Sequence, residues 1–132
     1  MSELQILAAV RGCLLKEEVA THVHLDVPPN AVYPLVLLEL EEIWSNFCVP
    51  STGIHARVKF KVSVYAHMPH RREMALISDK VKHALEGVNL KLPENQGATL
   101  RFLACVAEAP PDKGQPLATH HFYDAIILGE RR

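Results

Sequence analysis

Ile54-His55-Ala56-Arg57-Val58-Lys59-Phe60-Lys61-Val62-Ser63-Val64-Tyr65 alternates without a break. Ile54, Ala56, Val58, Phe60, Val62 and Val64 fall on one side, and His55, Arg57, Lys59, Lys61, Ser63 and Tyr65 on the other. Successive side chains of a strand point to opposite faces, so a period of two marks an extended segment with one face in a core and the other toward water or a partner. A slip of one residue would exchange the two faces, so the same pattern fixes the register of pairing. A strand of this kind needs neighbours, and the flanking sequence supplies them.

Upstream, Leu35-Val36-Leu37-Leu38 within Tyr33 to Phe47 predicts a strand buried on both faces, because Pro34 precedes it and disfavours a helix there. Ser45 to Gly53, with Asn46, Pro50, Ser51 and Gly53, reads as a long hairpin loop into the alternating strand. Val19 to Val27 also alternates and is closed by Pro28, Pro29 and Asn30. Ser2 to Glu18 has helical spacing through Leu4, Leu7, Ala8, Leu14 and Leu15, with Ile6, Val10 and Cys13 widening the apolar stripe.

Downstream, a helix from about Pro69 to Leu85 buries Met74, Ile77, Val81, Ala84 and Leu85, with Gly87 placed to cap it. A short segment around Leu90 and Leu92 precedes strands at Thr99 to Glu108 and Ala118 to Leu128. The Pro-rich connector Ala109 to Pro116 joins those two strands as a surface loop. The order helix, strand, strand, strand, helix, strand, strand predicts the α+β class. The expected form is an antiparallel sheet of about four to five strands with two helices packed on one face, in a single domain over 1–132.

Composition bounds the function. The 132 residues are 48% hydrophobic and 22% charged, which is enough apolar surface for one core without staples. Net charge is −1 and the isoelectric point about 6.7, so no bulk positive field would hold a phosphate backbone. No apolar run approaches the roughly 20 residues of a membrane-spanning helix, and the reading is a soluble intracellular protein with no membrane partner. Cys13, Cys48 and Cys105 are widely spaced, which suggests neither a disulfide framework nor a thiolate zinc site.

The search for chemistry finds no catalytic set. The six glycines are isolated, so no phosphate-cradling loop is present, and no nucleophile or zinc-hydrolase motif occurs. Eight histidines include His22 with His24 and His120 with His121, either pair a source of imidazole ligands, but Asp26 is the one acid at ligand spacing. No metal, cofactor or catalytic residue is therefore assigned. Glu39, Glu41 and Glu42 read as a solvated or ring-lining acidic strip. The row Arg57, Lys59 and Lys61, with His55 beside it, is the best candidate for a charged contact surface, although lysines on a strand also discourage unwanted sheet pairing.

Two passages carry a resemblance. Val27-Pro28-Pro29-Asn30 followed by Tyr33-Pro34-Leu35-Val36, and Asp79-Lys80-Val81-Lys82-His83-Ala84-Leu85-Glu86-Gly87 after the long alternating strand, resemble the tail-completion (tail-terminator) proteins of tailed bacteriophages. The similarity runs from about Val23 to Gly87 and reports a fold rather than a site. It implies a structural protein, not an enzyme. Its copies would form a ring, expected to be a hexamer, on the end of the finished tail tube and join it to the head-connector protein.

DNA would then be met only by passage through the ring lumen, and the protein would be found in the host cytoplasm during assembly and in the virion at the tail neck. Under this reading Phe47 and Val49 at the tip of the first loop, the row His55, Arg57, Lys59 and Lys61, and Asp112 and Lys113 in the Pro-rich loop are the candidates for subunit or tail contact. Two other readings stand beside it: a non-phage α+β interaction domain, and a metal-binding domain built on the histidines.

Overall fold

In a computed structural model of the chain, residues 2–18, 23–26, 33–49, 54–67, 71–92, 96–108 and 116–128 are described, with backbone alone at 2–4, 43–49, 54–56, 96 and 128. Eight elements follow one another: α1 (Ser2–Lys16), β1 (Val23–His24), β2 (Leu35–Val49), β3 (Ile54–Ala66), α2 (Arg71–Leu85), β4 (Asn89–Leu92), β5 (Gln96–Glu108) and β6 (Leu117–Leu128). The strands form one sheet in the order β1-β2-β3-β6-β5-β4.

The alternating stretch is β3, at the centre of the sheet between β2 and β6. Val58, Phe60, Val62 and Val64 are almost wholly buried. Each such side chain contributes about 1.5–3 kcal/mol on burial, so a register slip that exposed all four is far out of reach. Opposite them on β6 stand Ala125, Tyr123, His121 and Thr119. Phe60 stacks on Tyr123 with ring centroids 5.6 Å apart.

Both helices cover this face. Ile6, Leu7, Val10 and Leu14 from α1 and Val81 and Leu85 from α2 join one cluster with the apolar side chains of β2, β3, β5 and β6. The stripe of α1 is narrower than its composition suggests: Ala8 is exposed and Leu15 is 37% exposed, while Ile6 and Val10 are fully buried. α1 packs against β1 and β2 at one end of the sheet and against β4 at the other, so the sheet curls around it. Arg11 Nε donates to the carbonyl of Val23 at 2.9 Å and ties α1 to β1. Gly87, with φ of +61°, ends α2 in the left-handed conformation that glycine adopts at least cost, and Glu18, at φ 54°, takes the same conformation after α1.

Four expectations are corrected. Among the described residues the sheet has six strands and is mixed, because β1 runs parallel to β2, with Val23 opposite Val36. β4 is a full strand, paired from Asn89↔Thr99 to Leu92↔Gln96, that two apolar residues were too few to announce. Ser45 to Val49 belongs to β2 rather than to a loop, since its pairing reaches Val49↔Ile54 across an irregularity after Ser45. Within the described residues the first predicted strand is reduced to Val23–His24; Pro69 and most of the Pro-rich loop lie outside them.

Candidate functional site

The face of the sheet away from the helices carries the polar groups. Asp124, on β6, is fully buried there between arginines from both neighbouring strands. Arg57 of β3 donates Nε to Asp124 Oδ2 at 2.9 Å and places Nη2 at 2.7 Å from the same oxygen. Arg101 of β5 donates Nη2 to Oδ2 at 2.6 Å and Nε to Oδ1 at 3.2 Å. Burial alone would raise the Asp124 carboxyl, but the hydrogen bonds from Arg101 and Arg57 outweigh it and hold the group below its ordinary range. The Arg101 guanidinium is raised in turn by its hydrogen bond to Asp124.

Farther along the same face, Lys61 Nζ lies 3.7 Å from Glu39 Oε1 and 3.6 Å from Glu41 Oε1. The expected basic row is therefore neutralised by its own chain: Arg57, Lys59, Lys61 and Arg101 share the strip with Glu39, Glu41, Glu42 and Asp124. Such a strip has no net charge with which to attract nucleic acid.

A second cluster links three strands. Ser63 Oγ is 2.7 Å from His120 Nδ1, and His120 Nε2 is 2.7 Å from Glu108 Oε2. Ionised carboxylate only accepts, so Nε2 carries the proton and, in the neutral ring, Nδ1 accepts the Ser63 hydroxyl. The order of groups is that of a serine nucleophile with its base and acid, but the exposure is inverted. Ser63 is fully buried in the middle of the sheet and Glu108 is 62% exposed, so no substrate reaches the hydroxyl. The relay fastens β3, β6 and β5 together.

On the helix side, α2 rests on polar atoms. Ser78 Oγ, both ring nitrogens of His121 and the Tyr123 hydroxyl are buried without a hydrogen-bond partner among the described residues. Burial, then the positive charge of Lys82 and the neighbouring His120, lower the His121 imidazole to about 4, against a smaller opposing effect of Asp79. Burial pushes the Tyr123 phenol up, with Cys105 and Glu86 adding to it. His120 and His121 point to opposite faces of the sheet and so do not converge on one ion. Among the described residues no three groups of histidine, cysteine or carboxylate type are placed to hold a metal.

Two clefts flank this side. One of about 500 Å³ lies between α1 and the β2 edge, lined by Leu7, Leu25, Asp26, Leu38, Glu39 and Leu40 among others. The other, of about 250 Å³, lies between α2 and β5 and is lined by Lys82, Glu86, Phe102 and Tyr123.

Of the contact residues expected from sequence, Arg57, Lys59 and Lys61 share one strand face, and Phe47, Val49 and His55 lie on the β2–β3 hairpin, their side chains outside the described residues. Asp112 and Lys113 also lie outside them. Sequence reasoning missed Asp124, Arg101 and Glu108. The single acid within the otherwise neutral Leu117–Leu128 was the available signal for the first of these.

The family model described as "Tail completion protein gp17" matches residues 5–123. Among solved structures, a chain described as "Virion of native gene transfer agent (GTA) particle" superposes with a TM-score of 0.75 at 22% identity, covering 96% of this chain and 97% of its own. A second solved chain has a TM-score of 0.62 at 13% identity, over 100% of this chain and 99% of its own. At these identities the two structures show a shared fold. No curated protein matches the sequence.

Proposed function

We propose, starting from the fact that the chain belongs to the tail completion protein gp17 family, that it closes the finished tail tube of a phage or phage-like particle as a ring of copies and offers that ring to the head connector. The family is one of structural tail proteins rather than enzymes. The observation that carries the reading is the match over residues 5–123, which takes in both helices and all six strands as far as Tyr123. The fold shared with a chain of a gene transfer agent virion supports it.

The chemistry of the site agrees with an assembly role. The serine–histidine–acid relay among the described residues is closed to substrate, and Arg57, Lys61 and Arg101 of the charged strip pair within the chain. DNA then meets this protein through the ring lumen without being gripped by a basic surface. The whole chain acts as one tail-cap unit, six copies to the ring, assembled in the host cytoplasm and carried into the virion neck. The hairpin bearing Phe47 and Val49 and the row beginning at Arg57 are the surfaces offered to neighbours or to the tube.

Deleting the gene from its phage or phage-like element tests the reading. Filled heads and tails that accumulate separately, and join when purified protein is added back, are expected. Normal particles from the deletion would overturn it.

A further inference from the structure

The short end strands β4 and β1 cover only part of their neighbours, β5 and β2. β4 pairs with β5 from Gln96 to Thr99, and the N–H of Leu100 donates to the Val88 carbonyl at 3.0 Å. β1 pairs with β2 at Val36 and Leu37 alone. Beyond these points, among the described residues, nothing pairs with the outer edge of β5 over 101–108 or of β2 over 38–49.

The β5 segment is exposed on both faces, with Phe102 at 48%, Leu103 at 37% and Val106 at 49%. Monomeric proteins blunt such an edge with proline, lysine or a covering loop. Residues 101–108 contain no proline and no lysine.

We infer that copies of this chain join edge to edge, the 101–108 segment of one copy adding as an antiparallel strand to the 38–49 segment of the next. The inference rests on the ring reading above and names the surface that closes it. The directions fit: β2, β3, β6 and β5 are antiparallel at each step, so β2 and β5 run in opposite senses and meet as an antiparallel pair when one copy follows another. The contact is head-to-tail, the kind that closes a ring by rotation.

The levels of the two edges fit as well. Glu108 lies level with Ala118, Tyr65 and Leu35, and Arg101 with Asp124, Lys59 and Glu42, so the open part of β5 faces the start of β2, whereas the open part of β2 extends to its far end. Successive copies are thus staggered along the strands, as strands must be when a sheet closes on itself.

Glu41 and Glu42 are exposed along the β2 edge, and Lys82 lies with Glu86 in the cleft beside the β5 edge. The clefts behind both edges give the neighbour's side chains a seat.

The outward alternation of β5, set by Leu100 opposite Ala125, places the N–H groups of Cys105, opposite His121, and Ala107, opposite Thr119, on the open edge. Ala107→Pro therefore removes an edge donor without breaking a bond inside the copy. Val106→Lys sets a charge beside the same edge and is the second variant. Native mass spectrometry over a concentration series, with and without tail tubes, reads assembly, and circular dichroism reads the fold.

Wild type is expected to form a closed multimer, and the folded variants to need at least about tenfold higher concentration for half-assembly, or to stay monomeric. Wild-type rings with unchanged assembly of Val106→Lys and of folded Ala107→Pro would overturn the edge contact and leave the ring standing. A wild type that stays monomeric even with tail tubes would overturn the ring and the edge contact together.

Discussion

At the scale of single residues, two buried groups tie stability to pH in separate windows. His121 titrates near its ordinary 6.5 in the unfolded chain and at about 4 when folded, so the unfolded chain takes up the proton first as pH falls. Its contribution is complete above about pH 6.5 and is lost down to pH 4, a change of roughly 3 kcal/mol. Asp124 acts lower. Its carboxyl is held below its ordinary value of 3.8 in the folded chain, so its contribution is lost as pH falls below about that value.

His121→Leu should therefore flatten urea-derived stability between pH 6.5 and 4, and raise it at pH 7 by about 1 kcal/mol by removing two unpartnered nitrogens. An unchanged acid slope would contradict the burial of the ring. The sequence showed the alternation that exposes Arg57 and Lys61 but not their partners. Asp124 lies 67 positions from Arg57, and no local pattern reports a pairing made through the sheet.

At the scale of elements, the features with a strong local cause were legible. β3 was read within one residue of its observed end because period two and burial agree. α2 ended where expected because Gly87 supplies the left-handed turn. An added Cβ at Gly87 meets nothing within 4 Å, so Gly87→Ala should cost about 1 kcal/mol from backbone conformation alone, read as a lower thermal midpoint with unchanged assembly.

The errors fell where pairing overrides local preference. Ser45 and Asn46 favour turns, yet β2 runs through them because β3 offers a ladder on that side, and the register shift between Ser45 and Val49 absorbs the misfit. β4 depends on the opposing Gln96–Thr99 for its existence. The single-strand reading of Val19 to Val27 had no means of showing that its pairing would be parallel.

At the scale of the molecule, the α+β class and the packing of both helices on one face were visible in the order of elements. Of the charged strip, the alternating row on β3 was visible in the sequence, and its neutralisation by Glu39, Glu41 and Asp124 was not. The open edges were invisible, because an edge is defined by which strand is absent beside it.

The curled sheet leaves two open edges of opposite direction on every copy, along β2 and β5, and the proposed ring rests on their pairing. Electron cryomicroscopy of tail tubes incubated with the purified protein tests this account most directly. A single ring of added density on one end of each tube, with sheet continuous from copy to copy, is the predicted result. Tubes left bare, or decorated along their whole length, would contradict it.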